Sequence, residues 1–262
     1  MIIDFHTHTF PENIAEKTLA YLQSFSGTVP YTAGTNKSLL SSAKEAGVDV
    51  SVILPVVTKP SQFQTINACA AELQEGALIS FGGIHPENEN YRTKLRELRD
   101  MGIRGIKLHP DYQDTYFNDI RYKRILSYAS ELGLLVSVHA GVDPKCPENV
   151  HCTPEMIAEV LDEVAPENLI LAHMGGFMRW DNVEELLIGR KVYLDTAVVF
   201  GYISDEQFVR MVRNHGADKI LFATDSPWAG QKEFVSHLRA LDLTEDEKEH
   251  IFHINAEKLL YK

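Results

Sequence analysis

The chain has 262 residues, 44% hydrophobic and 24% charged, with a formal net charge of −12 when the histidines are neutral. That length would fill one domain of about 250 residues and is short for two well-cored ones. The negative charge argues against a nucleic-acid partner, and no stretch approaches the ~20 apolar residues of a membrane span.

The three cysteines, Cys69, Cys146 and Cys152, are too few and too odd in number for a disulfide framework. Cys146, His151 and Cys152 share one segment, but their spacing fits no zinc pattern, so free thiols in a long loop are expected. Asp4, His6 and His8 sit so near the first residue that a cleaved signal peptide would remove them, which favours the cytoplasm.

Short apolar or β-branched runs alternate with amphipathic ones. The first run, Ile2 to His6, ends in His-Thr-His, and Pro11 then starts a helical stretch. Further strands are predicted over 49–55, 77–84, 103–108, 134–139, 169–173, 191–195 and 219–225. Helical periodicity covers 91–100, 119–131, 154–164, 205–214 and 232–241, with a closing helix over 255–261. Eight strand-then-helix repeats predict one α/β domain over residues 1–262, a (β/α)₈ TIM barrel. An open doubly wound sheet is the alternative, weakened because no glycine-rich dinucleotide loop follows a strand. The long connection from Gly141 to Cys152 is a candidate active-site flap.

Polar residues collect where these strands end. His6 and His8 share one parity, so both can face inward. Asp4 has the same parity but lies lower, where it would orient a ligand rather than bind metal. His139, His173 and Asp225 each close an apolar run. In a barrel all of these would project toward the carboxyl end of the strands, and a divalent cation would remove the cost of burying them unpaired. Imidazole and carboxylate donors suit zinc first, and also manganese or iron(II). His85, His109 and Asp195 end strands too and would line the pocket or support the ligands. Among loop residues, Lys59 and Arg179 are candidates to pair with a substrate carboxylate, while Tyr112, Trp180 and Trp228 lie in similar loops.

The ordered set Asp4-Phe-His6-Thr-His8, Gly105-Ile-Lys107-Leu-His109-Pro110, Val138-His139-Ala-Gly141, Ala172-His173-Met-Gly175-Gly176 and Thr224-Asp225-Ser-Pro227 resembles the amidohydrolase superfamily. More narrowly, it is similar to the amidohydrolase-related branch that contains aminocarboxymuconate-semialdehyde decarboxylase and pyrone-dicarboxylate lactonase. The resemblance spans nearly the whole chain. It implies that His6, His8, His139 and Asp225 ligate one divalent metal, that His173 acts as acid/base or polarises the substrate, and that the protein forms a homo-oligomer. Lys107 stands where binuclear members carry a carboxylated lysine; the one-metal character of this branch implies that Lys107 is unmodified.

Three functions follow as expectations. The first is hydrolysis of an amide, ester or lactone of a small, carboxylated substrate by a metal-activated water, with Asp225 accepting the proton and His173 serving the carbonyl or leaving group. The alternative is non-oxidative decarboxylation of an unsaturated or aromatic acid on the same ligands. The third, a non-catalytic barrel with a structural metal, fits less well, because structural zinc sites are closed and often use cysteine.

Overall fold

The computed structural model describes residues 1–261. Nine strands occur in it: β1 (Ile3–Thr7), β2 (Val50–Ile53), β3 (Leu78–Ser80), β4 (Gly82–Gly83), β5 (Gly105–Leu108), β6 (Leu135–Val138), β7 (Leu169–Leu171), β8 (Tyr193–Asp195) and β9 (Ile220–Leu221). The α-helices are α1 (Glu12–Ser26), α2 (Asn36–Ala46), α3 (Phe63–Ala71), α4 (Tyr91–Asp100), α5 (Ile120–Glu131), α6 (Pro154–Glu163), α7 (Trp180–Leu186), α8 (Asp205–His215), α9 (Gln231–Ala240), α10 (Glu245–Glu249) and α11 (Asn255–Leu260). None is long and apolar enough to cross a membrane.

The chain forms two compact units. The first comprises Met1–Ile53, Glu75–Ile79 and the described chain from Asp195 on. Here β1 runs parallel to β2, pairing Ile3 with Val50 and Asp4 with Ser51, and the register shifts before Thr7 meets Ile53. On its other side β1 meets the β9 segment, where the Phe5 N–H donates to the Phe222 carbonyl at 2.8 Å. The second unit comprises Leu54–Gln74 and Ser80–Leu194. Its strands β4, β5, β6, β7 and β8 are neighbours in that order, each pair parallel. Ile106, Leu108, Val138 and Leu169 to Leu171 are all fully buried. Strands covered on both faces read as continuous apolar runs rather than alternating ones, which is why these segments stand out in the sequence.

Local chemistry sets the helix starts. Thr153 caps α6, its side chain accepting from the Met156 N–H, with Pro154 in the first turn where its missing N–H costs nothing. Asp119 and Ser204 cap α5 and α8 in the same way.

Several expectations are corrected. Pro11 is the cap of α1, not its first residue. The predicted strand 77–84 breaks at Phe81 into β3 and β4, and the predicted strand 219–225 shortens to β9. The cause of the second is local: the Thr224 N–H donates to the Asp4 side chain instead of a ladder carbonyl, and Asp225 takes a left-handed φ of 67°. No bounds were predicted for α2 and α3, whose short Ser- and Ala-rich stretches give a weak apolar period, while α7 starts at Trp180, as expected for a helix beginning near Arg179-Trp180.

Candidate metal centre

In the first unit, backbone pairing assembles the cluster. The Asp225 N–H donates to the His6 carbonyl at 2.8 Å and the His8 N–H to the Ser226 carbonyl at 2.6 Å. Three side chains then meet. His6 Nε2 lies 3.1 Å from His8 Nε2 and 3.3 Å from Asp225 Oδ1, and His8 Nε2 lies 3.0 Å from Asp225 Oδ1. Donors held about 2.1 Å from one cation stand roughly 3.0–3.4 Å apart at right or tetrahedral angles, so this near-equilateral triangle matches one face of a coordination shell. The left-handed backbone of Asp225 is costly for a non-glycine residue and is the kind of strain that marks functional positions.

Behind the triangle, His6 Nδ1 lies 2.9 Å from Asp195 Oδ2, and Asp195 is fully buried. A carboxylate there accepts a hydrogen bond from Nδ1–H, which keeps the proton on Nδ1 and leaves the Nε2 lone pair for a cation. Strand parity predicts Asp4 in this orienting role, but the carboxylate on the His6 ring is that of Asp195. Asp4 meets His6 only through the backbone, its Oδ1 accepting from the His6 N–H at 3.4 Å. Its Oδ2 accepts from Thr224 Oγ1 at 2.6 Å and Gln231 Nε2 at 2.8 Å, and its Oδ1 from the Thr224 N–H. Complete burial pushes the Asp4 carboxyl up to about 7, against the pull of those hydrogen bonds. Asp4 fastens the strand that carries the histidines.

In the second unit, His109, His139 and Asp143 form another cluster, all buried. The His139 N–H donates to the Leu108 carbonyl, setting it just beyond β6. Its ring stacks on His109, centroids 4.2 Å apart, and His109 stacks on Tyr112 at 3.9 Å. His139 Nδ1 is 3.0 Å from His173 Nε2. His173 and Met174 both have positive φ, and Trp180 Nε1 donates to the His173 carbonyl at 3.0 Å. Gly141 follows at a φ of +89°, where a Cβ would lie 2.0 Å from the Phe177 nitrogen, so only glycine fits.

The remaining candidates separate clearly. Lys107 is buried in β5, opposite Ser137. His85 is buried and accepts from the Glu87 N–H, and burial pushes its pKa down. Arg179 is exposed just ahead of α7, and Lys59 is exposed ahead of α3. Trp228 is half-buried, its N–H bonded to the Asp225 carbonyl. The three cysteines are free, as expected. Sequence reasoning missed Asp111 and Asp143. Asp111 binds His151 twice, accepting from its backbone N–H at 3.1 Å and meeting Nδ1 at 3.0 Å. Each is an ordinary-looking loop aspartate, with no signal beyond its nearness to the His109 and His139 motifs.

Parallel strands alternating with helices, with imidazole and carboxylate clusters just past strand ends, define a metal-binding α/β class. The chain belongs to the amidohydrolase family, whose model matches residues 3–261. No curated protein matches the sequence. Among solved structures, the chain is similar to an uncharacterised TIM-barrel protein from Bordetella bronchiseptica, with a TM-score of 0.76, 19% identity, and coverage of 99% of this chain and 98% of that one. It is also similar to a dihydroxybenzoic acid decarboxylase from Polaromonas sp. JS666 holding manganese and 2-nitroresorcinol, with a TM-score of 0.70, 14% identity, and coverage of 99% and 96%. A third is the 5-carboxyvanillate decarboxylase of Novosphingobium aromaticivorans with manganese and 4-hydroxy-3-methoxy-5-nitrobenzoic acid, with a TM-score of 0.72, 14% identity, and coverage of 99% and 96%. At these identities the likeness shows the fold, a TIM barrel.

Proposed function

We propose that this protein is a metal-dependent, non-oxidative decarboxylase of an aromatic or unsaturated carboxylic acid. The observation that carries the metal reading is the His6–His8–Asp225 triangle with Asp195 on the far nitrogen of His6. A divalent cation held there, manganese or zinc, would supply Lewis-acid attraction for a substrate carboxylate and an adjacent oxygen. The resemblance adds His139 as a ligand to that cation, and metal content after His139→Ala tests the assignment.

The hydrolase expected first from the sequence gives way to this reading, because similar solved structures with named activities include decarboxylases with manganese and ring compounds bound. In such a reaction a proton adds to the carbon that bears the carboxylate. The bond to the carboxylate then breaks, its electron pair returns to the ring or double bond, and carbon dioxide leaves. By resemblance His173 brings the proton, and its bond to His139 Nδ1 holds its ring in place.

Carbon dioxide release from hydroxybenzoates and muconate-type acids by the Mn²⁺-loaded protein, beside lactones and amides, tests the reading. The expected result is turnover of one of the acids, lost in His173→Ala. Turnover confined to lactones or amides would restore the hydrolase.

A further inference from the structure

The stretch after β7 carries an aromatic side chain that the proposed reaction does not yet use. Phe177 is half-buried, whereas its apolar sequence neighbours Leu171, Met174, Trp180 and Val183 are buried. Its ring meets the His173 imidazole in a T-shaped contact, centroids 5.9 Å apart, and the Trp180 ring in another at 5.7 Å. The backbone beneath it is tied at both peptide groups. The Phe177 N–H donates to the Ala140 carbonyl at 2.9 Å, and the Phe177 carbonyl accepts from the Val142 N–H at 3.0 Å. His173, Met174 and Met178 all take positive φ, from 53° to 59°. Left-handed backbone at non-glycine residues costs energy and gathers where ligands are bound. A side chain on so constrained a segment stands in a fixed place, as a substrate-contacting group must.

We propose, on the decarboxylase reading with His173 as proton donor, that Phe177 is a specificity-determining residue. It sets an apolar aromatic surface beside His173, against which the flat ring of a substituted benzoate packs. Aromatic acids are thereby favoured over open-chain unsaturated ones. Two aromatic rings in edge-on or offset contact gain more than their buried area alone provides, and an open-chain diene offers no such ring. A phenyl ring that merely packs between His173 and Trp180 would contribute to stability and make no distinction between the two kinds of acid.

The contact is tested by calorimetry on the Mn²⁺-loaded wild type, Phe177→Leu and Phe177→Tyr, with 2-nitroresorcinol and cis,cis-muconate as ligands. Carbon dioxide release from hydroxybenzoates and muconate-type acids is measured on the same proteins, and thermal melts confirm that each variant is folded. The expected result is that Phe177→Leu binds 2-nitroresorcinol about 2- to 10-fold more weakly while its affinity for muconate is unchanged. Phe177→Tyr, which keeps the ring, restores the lost affinity. For hydroxybenzoates KM rises in Phe177→Leu more than kcat falls. Equal weakening toward both ligands, or none toward either, overturns the ring contact, and if the acids are still turned over the proposed function stands. A ring-selective loss restored by tyrosine, without carbon dioxide from any acid, supports the contact and removes the decarboxylase. A wild type that does not bind 2-nitroresorcinol overturns the contact.

Discussion

Asp195 decides which nitrogen of His6 faces a cation. Replacing it with alanine leaves the ring free to turn and its tautomer unfixed. Losing such a supporting partner typically weakens metal binding by about 10- to 100-fold. Mn²⁺ titration of Asp195→Ala checks this, with circular dichroism showing an intact fold, and unchanged affinity would reduce Asp195 to packing. At this scale the sequence was only partly legible. His6-Thr-His8 reads directly, because two imidazoles two apart on a strand share a face. Their buried partner does not, since Asp195 lies 189 positions away and nothing local links the two. Strand parity placed Asp4 on the same face but was silent about its neighbours, and Thr224 and Gln231 proved to be those neighbours.

Among the elements, helix α5 offers a clean electrostatic test. Its cap Asp119 accepts from the Arg121 N–H and also pairs with the Arg121 guanidinium, which holds the carboxyl below its usual range. A depressed carboxyl stabilises the fold when ionised. Its contribution is complete above the ordinary aspartate pKa and fades as the pH falls through the lower folded value. Asp119→Ala should therefore cost about 1 kcal/mol near neutral pH and progressively less in acid, as read from urea melts across pH. A cost that did not change with pH would assign the effect to packing. The turn at Gly141 allows a second test: Gly141→Ala forces a side chain into the Phe177 backbone at a positive φ and should destabilise the fold by about 2 kcal/mol or more. The strands of the second unit were legible because burial on both faces keeps them apolar throughout. Strand β9 was not, since its last predicted residues give their hydrogen bonds to a side chain and to the His6 carbonyl.

For the molecule as a whole, any cation that binds only the folded chain must raise its melting temperature. At a hundredfold excess over Kd, one site adds about 2.7 kcal/mol. Thermal melts with Mn²⁺ should therefore run well above those with chelator, and equal melts would count against any native metal. Thiol labelling of the native protein should proceed in order of exposure. Cys69 is open, Cys146 is half-buried with its thiol pushed up by burial, and Cys152 is sealed and pushed higher still. A native protein that labelled Cys152 first would be packed otherwise than described.

The stretch from Gly141 to Cys152 is joined at its base, where the Gly141 N–H meets the Cys152 carbonyl at 2.9 Å and Val142 and Ala140 both bond Phe177. Apart from half-buried Cys146, residues 144–149 at its tip are exposed. Because the root is tied independently of the tip, the crown can be rewritten by drift or by grafting while the framework beneath keeps its shape. Libraries varied at those six positions alone would leave intact what holds the protein together.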